Sequence, residues 1–319
     1  MASYLFEAQD YCMSTPVEQK ISHAAPELLY ETARKKLYEL EDLMSFYRSS
    51  SQVSLLNESA EKTEVPLSEE LLFVLGKAQE HAQFSRGAFS IMLAPLVQLW
   101  KLSCAENKVP THEAIAATLP LCDGDNLQLQ RASKTAALKK EGCKIDLGAI
   151  GKGYAADVCC DIYQSMGASS AFINLGGNVK ALGSRPDGDP WLVGLQHPDK
   201  PRGVCFAALQ CSNQSVVTSG AYERYQEIDG VRYHHILDGE TGYPAKTELK
   251  SVTVISSSSL EADALSTAAF VLGLDEGLSL IKESDCHGAV FFTSQNEIYL
   301  TKGIKRQVIL TESFACYEA

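Results

Sequence analysis

Asp263 and Thr267 stand four residues apart in the segment EADALST, so on a helix both side chains leave the same face. A carboxylate and a hydroxyl are hard oxygen donors of the kind Mg²⁺ takes. Two donors do not complete an octahedron. The pair therefore invites a backbone carbonyl, waters and phosphate oxygens of a substrate as further partners. The same spacing also has a purely structural explanation. An Asp near a helix start favours the macrodipole, and a Thr commonly bonds back to a carbonyl one turn earlier.

The segment KIDLGAIGKGYAAD, residues 144–157, carries glycines at 148, 151 and 153 and a lysine at 152. Glycines let a backbone approach a ligand closely, and Lys152 could meet a phosphate or an adenine edge. The run is neither GxxxxGK[ST] nor GxGxxG, so a plain strand-to-helix turn explains it equally well. Asn174 to Asn178, with Gly176 and Gly177, is a second glycine-bearing turn with the same ambiguity. In YHHILDGETGYP, residues 233–244, His235 precedes the turn DGETG at an expected strand end. There it is either a structural histidine or, beside a metal, a general base.

These residues need elements to hold them. A strand pair is expected over 3–21, broken near Met13 to Pro16. Apolar residues at Leu29, Ala33, Leu37, Leu40 and Met44 predict a helix from Pro26 to Met44. Ser68 reads as the cap of a helix reaching about His81, with further helices over Ala94–Leu102 and Thr111–Thr118. Short strands are expected at 127–129, 137–138 and 144–146, followed by a helix over 154–166. Apolar runs closed by Gly, Pro or Asn follow, in AFINLGGNVKALG, WLVGLQH, VCFAALQ and SVVTSG. SVTVISSS at 251–258 alternates like a strand and feeds a helix over Leu260–Leu272, and GAVFFTSQNEIYLTKG reads as a hairpin. Runs of strands mixed with helices favour α+β over a doubly wound sheet.

The 319 residues suffice for a sizeable core, and 45% are apolar. A net charge of −12 argues against nucleic acid or an anionic membrane as partner. It also makes a divalent cation the natural companion of any bound pyrophosphate. No run of 18 consecutive apolar residues occurs, so no membrane insertion is expected. The ten cysteines lack metal-ligand spacing and read as reduced, mostly buried thiols. The sequons at Asn57 and Asn213 read as chance matches. MASYLFEAQDYCM lacks a basic n-region and an apolar h-region, so a cytoplasmic location is expected.

Five blocks in order resemble the FAD:protein FMN transferases, the ApbE-like flavin transferases. They are CMSTPVEQK, MSFYRSSSQVSLLN at 44–57, GAFSIMLAPLVQLW at 87–100, KIDLGAIGKGYAAD, and YHHILDGETGYP with EADALSTAAFVLG; the likeness runs from about 4 to 300. The resemblance implies a single domain over 1–319 of α+β class. Its compact flavin-transferase architecture would be related to the T-fold, with mixed, largely antiparallel sheets flanked by helices. It implies Mg²⁺ bound by Asp263 and Thr267 with the carbonyl of Ala149, and FAD as substrate. Met13, Tyr47, Ala88, Phe89, Ser90, Asp146, Lys152, Leu237 and Ser266 would line the FAD site. His235 would deprotonate the acceptor hydroxyl. The implied reaction moves FMN from FAD to a Ser or Thr of an acceptor protein, such as a redox-enzyme subunit, and releases AMP. An FAD pyrophosphatase or an inert flavin-binding protein are the alternatives. The chain departs from the family's pattern at Ser14, where Gly is common, at Ser90, where Asp is common, and at DGET in place of DPxT.

Overall fold

A computed structural model of the chain describes residues 5–61 and 63–319. Residues 3 and 4 of the expected opening strand, and the start of the family resemblance at 4, lie outside the described residues. Among the described residues there are seven α-helices: α1 (Pro26–Met44), α2 (Gln52–Glu58), α3 (Glu69–Phe84), α4 (Ala94–Ala105), α5 (His112–Thr118), α6 (Gly151–Ser165) and α7 (Ser259–Glu283). The chain divides into two compact units. Unit 1 comprises the described part of Met1–Glu41 with Ile150–Gly220 and Glu248–Ala319; unit 2 comprises Asp42–Ala149 and Ala221–Thr247.

Unit 1 is built on a nine-stranded sheet. Its order is Leu5–Cys12, Thr15–Ser22, Ser170–Leu175, Asn178–Leu182, Ser215–Gly220, Leu249–Ser256, Gly288–Thr293, Glu297–Leu300 and Ala315–Glu318. Every neighbouring pair is antiparallel except the last, which is parallel. Successive side chains of a strand point to opposite faces, and this sheet buries both. One face carries α6 and α7. The other, through Phe172, Ile255 and Phe292, packs on a three-stranded sheet that supplies Trp191, Val193, Phe206 and Leu209. The opening hairpin turns at Met13 and Ser14, both left-handed at φ 53° and 59°. That is the two-residue hairpin turn in which both positions favour glycine. It explains why the family commonly places Gly at 14, and Ser14 costs roughly 1 kcal/mol there. The Asn174–Asn178 turn is likewise structural. Gly176 and Gly177 have φ 60° and 98°, and a Cβ on Gly176 would meet the Thr15 hydroxyl at 1.8 Å.

The apolar stripe of α1 is buried as expected at Leu29, Ala33, Leu37, Leu40 and Met44. The expected helix over Leu260–Leu272 ends at Gly273, whose φ of 79° and ψ of −171° break the helical backbone, and a second helical stretch completes α7 to Glu283. The 25 residues of α7 are long and apolar enough to cross a membrane by composition alone. Instead it is a core helix, burying Leu260, Ala264, Ala268 and Phe270 in unit 1.

Unit 2 holds α2 to α5 and a small sheet of Val65–Pro66, Thr135–Leu138 and Leu127–Gln130. Ser68 caps α3 as expected, its hydroxyl accepting the N–H of Leu71 at 3.2 Å. Helix α2, which the pattern analysis did not anticipate, is capped by Ser51 accepting from Ser54 N at 2.9 Å. The expected strand at 144–146 does not form. The Asn57 amide replaces a neighbouring strand, donating to the Ile145 carbonyl at 3.0 Å and accepting the Ile145 N–H at 2.7 Å. Asn57 is therefore a buried clasp within its sequon. A hairpin of Tyr225–Ile228 and Val231–His234 turns at Asp229–Gly230, φ 50° and 76°, and leads directly into His235. The fold is α+β with mixed, largely antiparallel sheets flanked by helices, as expected.

Candidate functional site

In unit 1 the start of α7 is held by α6. Asp157 accepts the backbone N–H groups of Ser259 at 2.8 Å and Leu260 at 3.0 Å, and the Ser258 hydroxyl at 3.0 Å, while pairing with Lys180. Here a neighbouring helix supplies the cap for α7's first N–H groups. The crossing is so close that a Cβ on Gly153 would lie 2.3 Å from the Ser259 carbonyl oxygen. Gly153 thus serves helix packing rather than ligand approach. Its N–H donates to Asp263 Oδ2 at 2.9 Å.

Asp263 is only 5% exposed, and Lys152 Nζ lies 4.0 Å from its carboxylate. Burial pushes the Asp263 carboxyl above the usual range, against the pull of Lys152, the Gly153 N–H and the nearby Asn178 amide. One turn on, Thr267 Oγ1 is 3.3 Å from the Asp263 carbonyl, and Ser266 Oγ donates to that carbonyl at 3.0 Å. Ser219, at the end of the strand Ser215–Gly220, stands 2.9 Å from Ser266 Oγ and 3.2 Å from Thr267 Oγ1. The structure thus gathers Lys152, Asp263, Ser266 and Thr267. Met13 belongs to the same unit, in the hairpin turn, its N–H donating to Glu41 Oε1 at 3.1 Å.

These donors fit a hard divalent cation. A desolvated carboxylate beside a hydroxyl, with one ammonium 4.0 Å away, has charge left to share. Among the described residues no three His, Cys, Asp or Glu side chains gather, so a site of the zinc kind is not built there.

Unit 2 presents the remaining predicted residues. Tyr47 is 72% exposed, with Lys101 Nζ 5.1 Å from its ring centre. Ala88, Phe89 and Ser90 run between α3 and the turn Ile91–Leu93; Phe89 is fully buried, and Ser90 Oγ accepts the Met92 N–H at 3.1 Å. Ser90 therefore works as a cap, which an Asp would do equally well. Asp146 donates its N–H to the Ile91 carbonyl at 2.9 Å and accepts the Gly148 N–H at 2.8 Å, which ties the two blocks together. Ala149 is half-buried in the turn before α6. Leu237 is buried with Leu96, Trp100, Ile115 and Cys122. His235 is exposed, and its Nδ1 lies 3.1 Å from the Arg224 carbonyl. A carbonyl only accepts, so Nδ1 carries the proton and Nε2 of the neutral ring holds the basic lone pair. The DGETG turn closes on itself, Asp238 accepting from Glu240 N at 2.9 Å and from the Thr241 hydroxyl at 2.8 Å.

Asp157, Asn178 and Ser219 join the site without having stood out by residue type and spacing. Asp157 closes a block already singled out, and an acid four residues past the last glycine, Gly153, was its signal. Ser219 had no signal in spacing, because the strand that carries it reaches α7 only in three dimensions.

The fold and these motifs define a class. Residues 13–292 match the ApbE family, and the chain belongs to that family. It is 36% identical over 289 residues to an FAD:protein FMN transferase of Klebsiella pneumoniae (strain 342), covering 91% of this chain and 89% of that protein. The FAD:protein FMN transferase of Treponema pallidum (strain Nichols) is 35% identical over 300 residues, 90% of this chain and 82% of that protein. Among solved structures, the chain is similar to the ApbE protein of Thermotoga maritima MSB8, with a TM-score of 0.88 and 31% identity across 95% of this chain and 99% of that one. The apo form of the Pseudomonas stutzeri flavinyl transferase ApbE gives a TM-score of 0.84 at 28% identity, across 96% of this chain and 98% of that one.

Proposed function

We propose that the chain is an FAD:protein FMN transferase that moves FMN from FAD to a Ser or Thr hydroxyl of an acceptor protein and releases AMP. The observation that carries this reading is the buried Asp263 carboxylate with Thr267 one turn on and Lys152 beside it. Asp263 and Thr267, with the carbonyl of Ala149, would hold Mg²⁺. When bound, the ion would neutralise charge on the pyrophosphate and on the departing AMP phosphate.

The residues of the chain do the rest. Lys152 supplies a fixed positive charge for phosphate oxygens. Tyr47 offers an exposed aromatic face to the isoalloxazine. Met13, Ala88, Ser90, Asp146 and Ser266 complete the FAD contacts that the family resemblance assigns. Phe89 and Leu237 are buried, so they would back the FAD site from beneath its surface. His235 Nε2 takes the proton of the acceptor hydroxyl as its oxygen attacks the FMN phosphorus. A new P–O bond forms, the pyrophosphate P–O bond breaks opposite it, and AMP carries away the electron pair. The acceptor would be a protein presenting a Ser- or Thr-containing motif, such as a redox-enzyme subunit.

Because His235 is exposed, water could also reach its Nε2, and FAD pyrophosphatase activity is the second reading. Incubation with FAD, Mg²⁺ and a flavin-acceptor protein separates the two. Flavin fluorescence on the acceptor band of a denaturing gel supports transfer. Free FMN with an unlabelled acceptor supports hydrolysis.

A further inference from the structure

Thr267 can serve a cation only if its oxygen lone pairs face it, and a threonine hydroxyl carries one proton that must go elsewhere. Three hydroxyls and one carbonyl meet here. Ser266 Oγ is 3.0 Å from the Asp263 carbonyl, Ser219 Oγ is 2.9 Å from Ser266 Oγ, and Thr267 Oγ1 is 3.2 Å from Ser219 Oγ. The carbonyl only accepts. If Ser266 donates to it, Ser266 Oγ is open to accept from Ser219, and Ser219 Oγ is open to accept from Thr267. The protons then run one way, from Thr267 to Ser219 to Ser266 to the Asp263 carbonyl.

We infer that Ser219 is a positioning residue for the metal site: it receives the Thr267 proton and so turns the Thr267 lone pairs toward the ion. The inference rests on Asp263 and Thr267 holding a divalent cation. Ser219 itself need not touch the ion. Without it, the Thr267 proton has the Asp263 carbonyl at 3.3 Å as its alternative, the ordinary bond back along a helix. That rotation redirects the lone pairs. Ser219 comes from a different element, the strand Ser215–Gly220, so the relay reaches the donor pair on α7 from the sheet. Ser266 is fully buried, whereas Ser219 and Thr267 are half-buried, so the relay runs from the accessible end inward.

The test uses the full chain and Mn²⁺ alone, with free ion counted by its paramagnetic resonance signal. Ser219→Ala should weaken Mn²⁺ binding about tenfold, as loss of a group orienting a ligand typically does. Ser219→Thr, which keeps the hydroxyl, should bind within about twofold of the unaltered chain. Adding Ser219→Ala to Thr267→Val should cause no further loss, because Ser219 acts through Thr267. The metal-free melting temperature of Ser219→Ala should stay within about 1 °C of the parent. Unchanged Mn²⁺ binding in Ser219→Ala, additive losses in the double variant, or a matching fall in metal-free stability would each overturn the inference while leaving the metal site standing. No Mn²⁺ binding by the unaltered chain would overturn the metal site, and this inference with it.

Discussion

In unit 1 the chemistry-bearing side chains are buried or half-buried and bonded to one another, with Asp263 at 5% exposure between the Gly153 N–H and Lys152. In unit 2 they stand at the surface: Tyr47 is 72% exposed, and His235 is exposed with one nitrogen tied to a backbone carbonyl. Under the proposed reaction, the difference suits different partners. A small hard ion and phosphate oxygens gain from a preorganised, desolvated carboxylate. A hydroxyl on another protein must be reached from solvent.

The comparison breaks most visibly at Asp263. Asp263→Asn should lower FMN transfer roughly 1,000-fold, the scale of losing a preorganised charge-stabilising group. Asn can still accept the Gly153 N–H and sheds the buried charge. The metal-free melting temperature should therefore hold or rise by about 2 °C, with Mg²⁺ adding nothing. A marked fall in metal-free stability would mean that Asp263 is a structural anchor. At His235 the losses should separate differently. His235→Asn keeps a donor for the Arg224 carbonyl but lacks Nε2, so transfer should fall about 100-fold with FAD affinity unchanged. Equal losses of binding and rate would contradict the proton-acceptor role.

Gly153→Ala probes the packing under the first group. The added methyl meets the Ser259 carbonyl at 2.3 Å, and the clash should cost about 3 kcal/mol, read as faster amide exchange in α6 and α7. Exchange in α3 should not change. The smallest effect is in pH. Burial lowers the pKa of His81 and His234, both in unit 2, below the ordinary 6.5. The unfolded chain then binds protons that the folded chain refuses, so their contribution to stability is present above about 6.5 and lost as pH falls. Asp263 has the opposite sign. Its raised pKa makes the metal-free unit 1 lose stability as pH rises from 3.8 through the folded value. Between pH 7 and 5.5, amide protection corrected for intrinsic rates should fall in α3 and in Val231–His234 and hold in α7. A uniform response in both units would dissolve the contrast.

The same contrast decides what could be read from sequence. Asp263 and Thr267 were legible because helical spacing is local, and α1 matched its expected bounds because its stripe is regular. The expected strand at 144–146 failed because Asn57, some ninety residues earlier, supplies its hydrogen bonds from a side chain. Gly153 looked like a ligand-binding glycine, and only the crossing of α6 and α7 reveals the backbone it accommodates. Ser219 is a serine at a strand end until α7 is laid beside it. The tautomer of His235 follows from the Arg224 carbonyl across a hairpin that Asp229–Gly230 signalled and the pattern analysis passed over.

Mass spectrometry of an acceptor protein after reaction with the chain, FAD and Mg²⁺ tests the central claim most directly. The account predicts one FMN in phosphoester linkage to a Ser or Thr of the acceptor, with AMP released in equal amount and the adduct absent with Asp263→Asn. Unmodified acceptor accompanied by free FMN would contradict it.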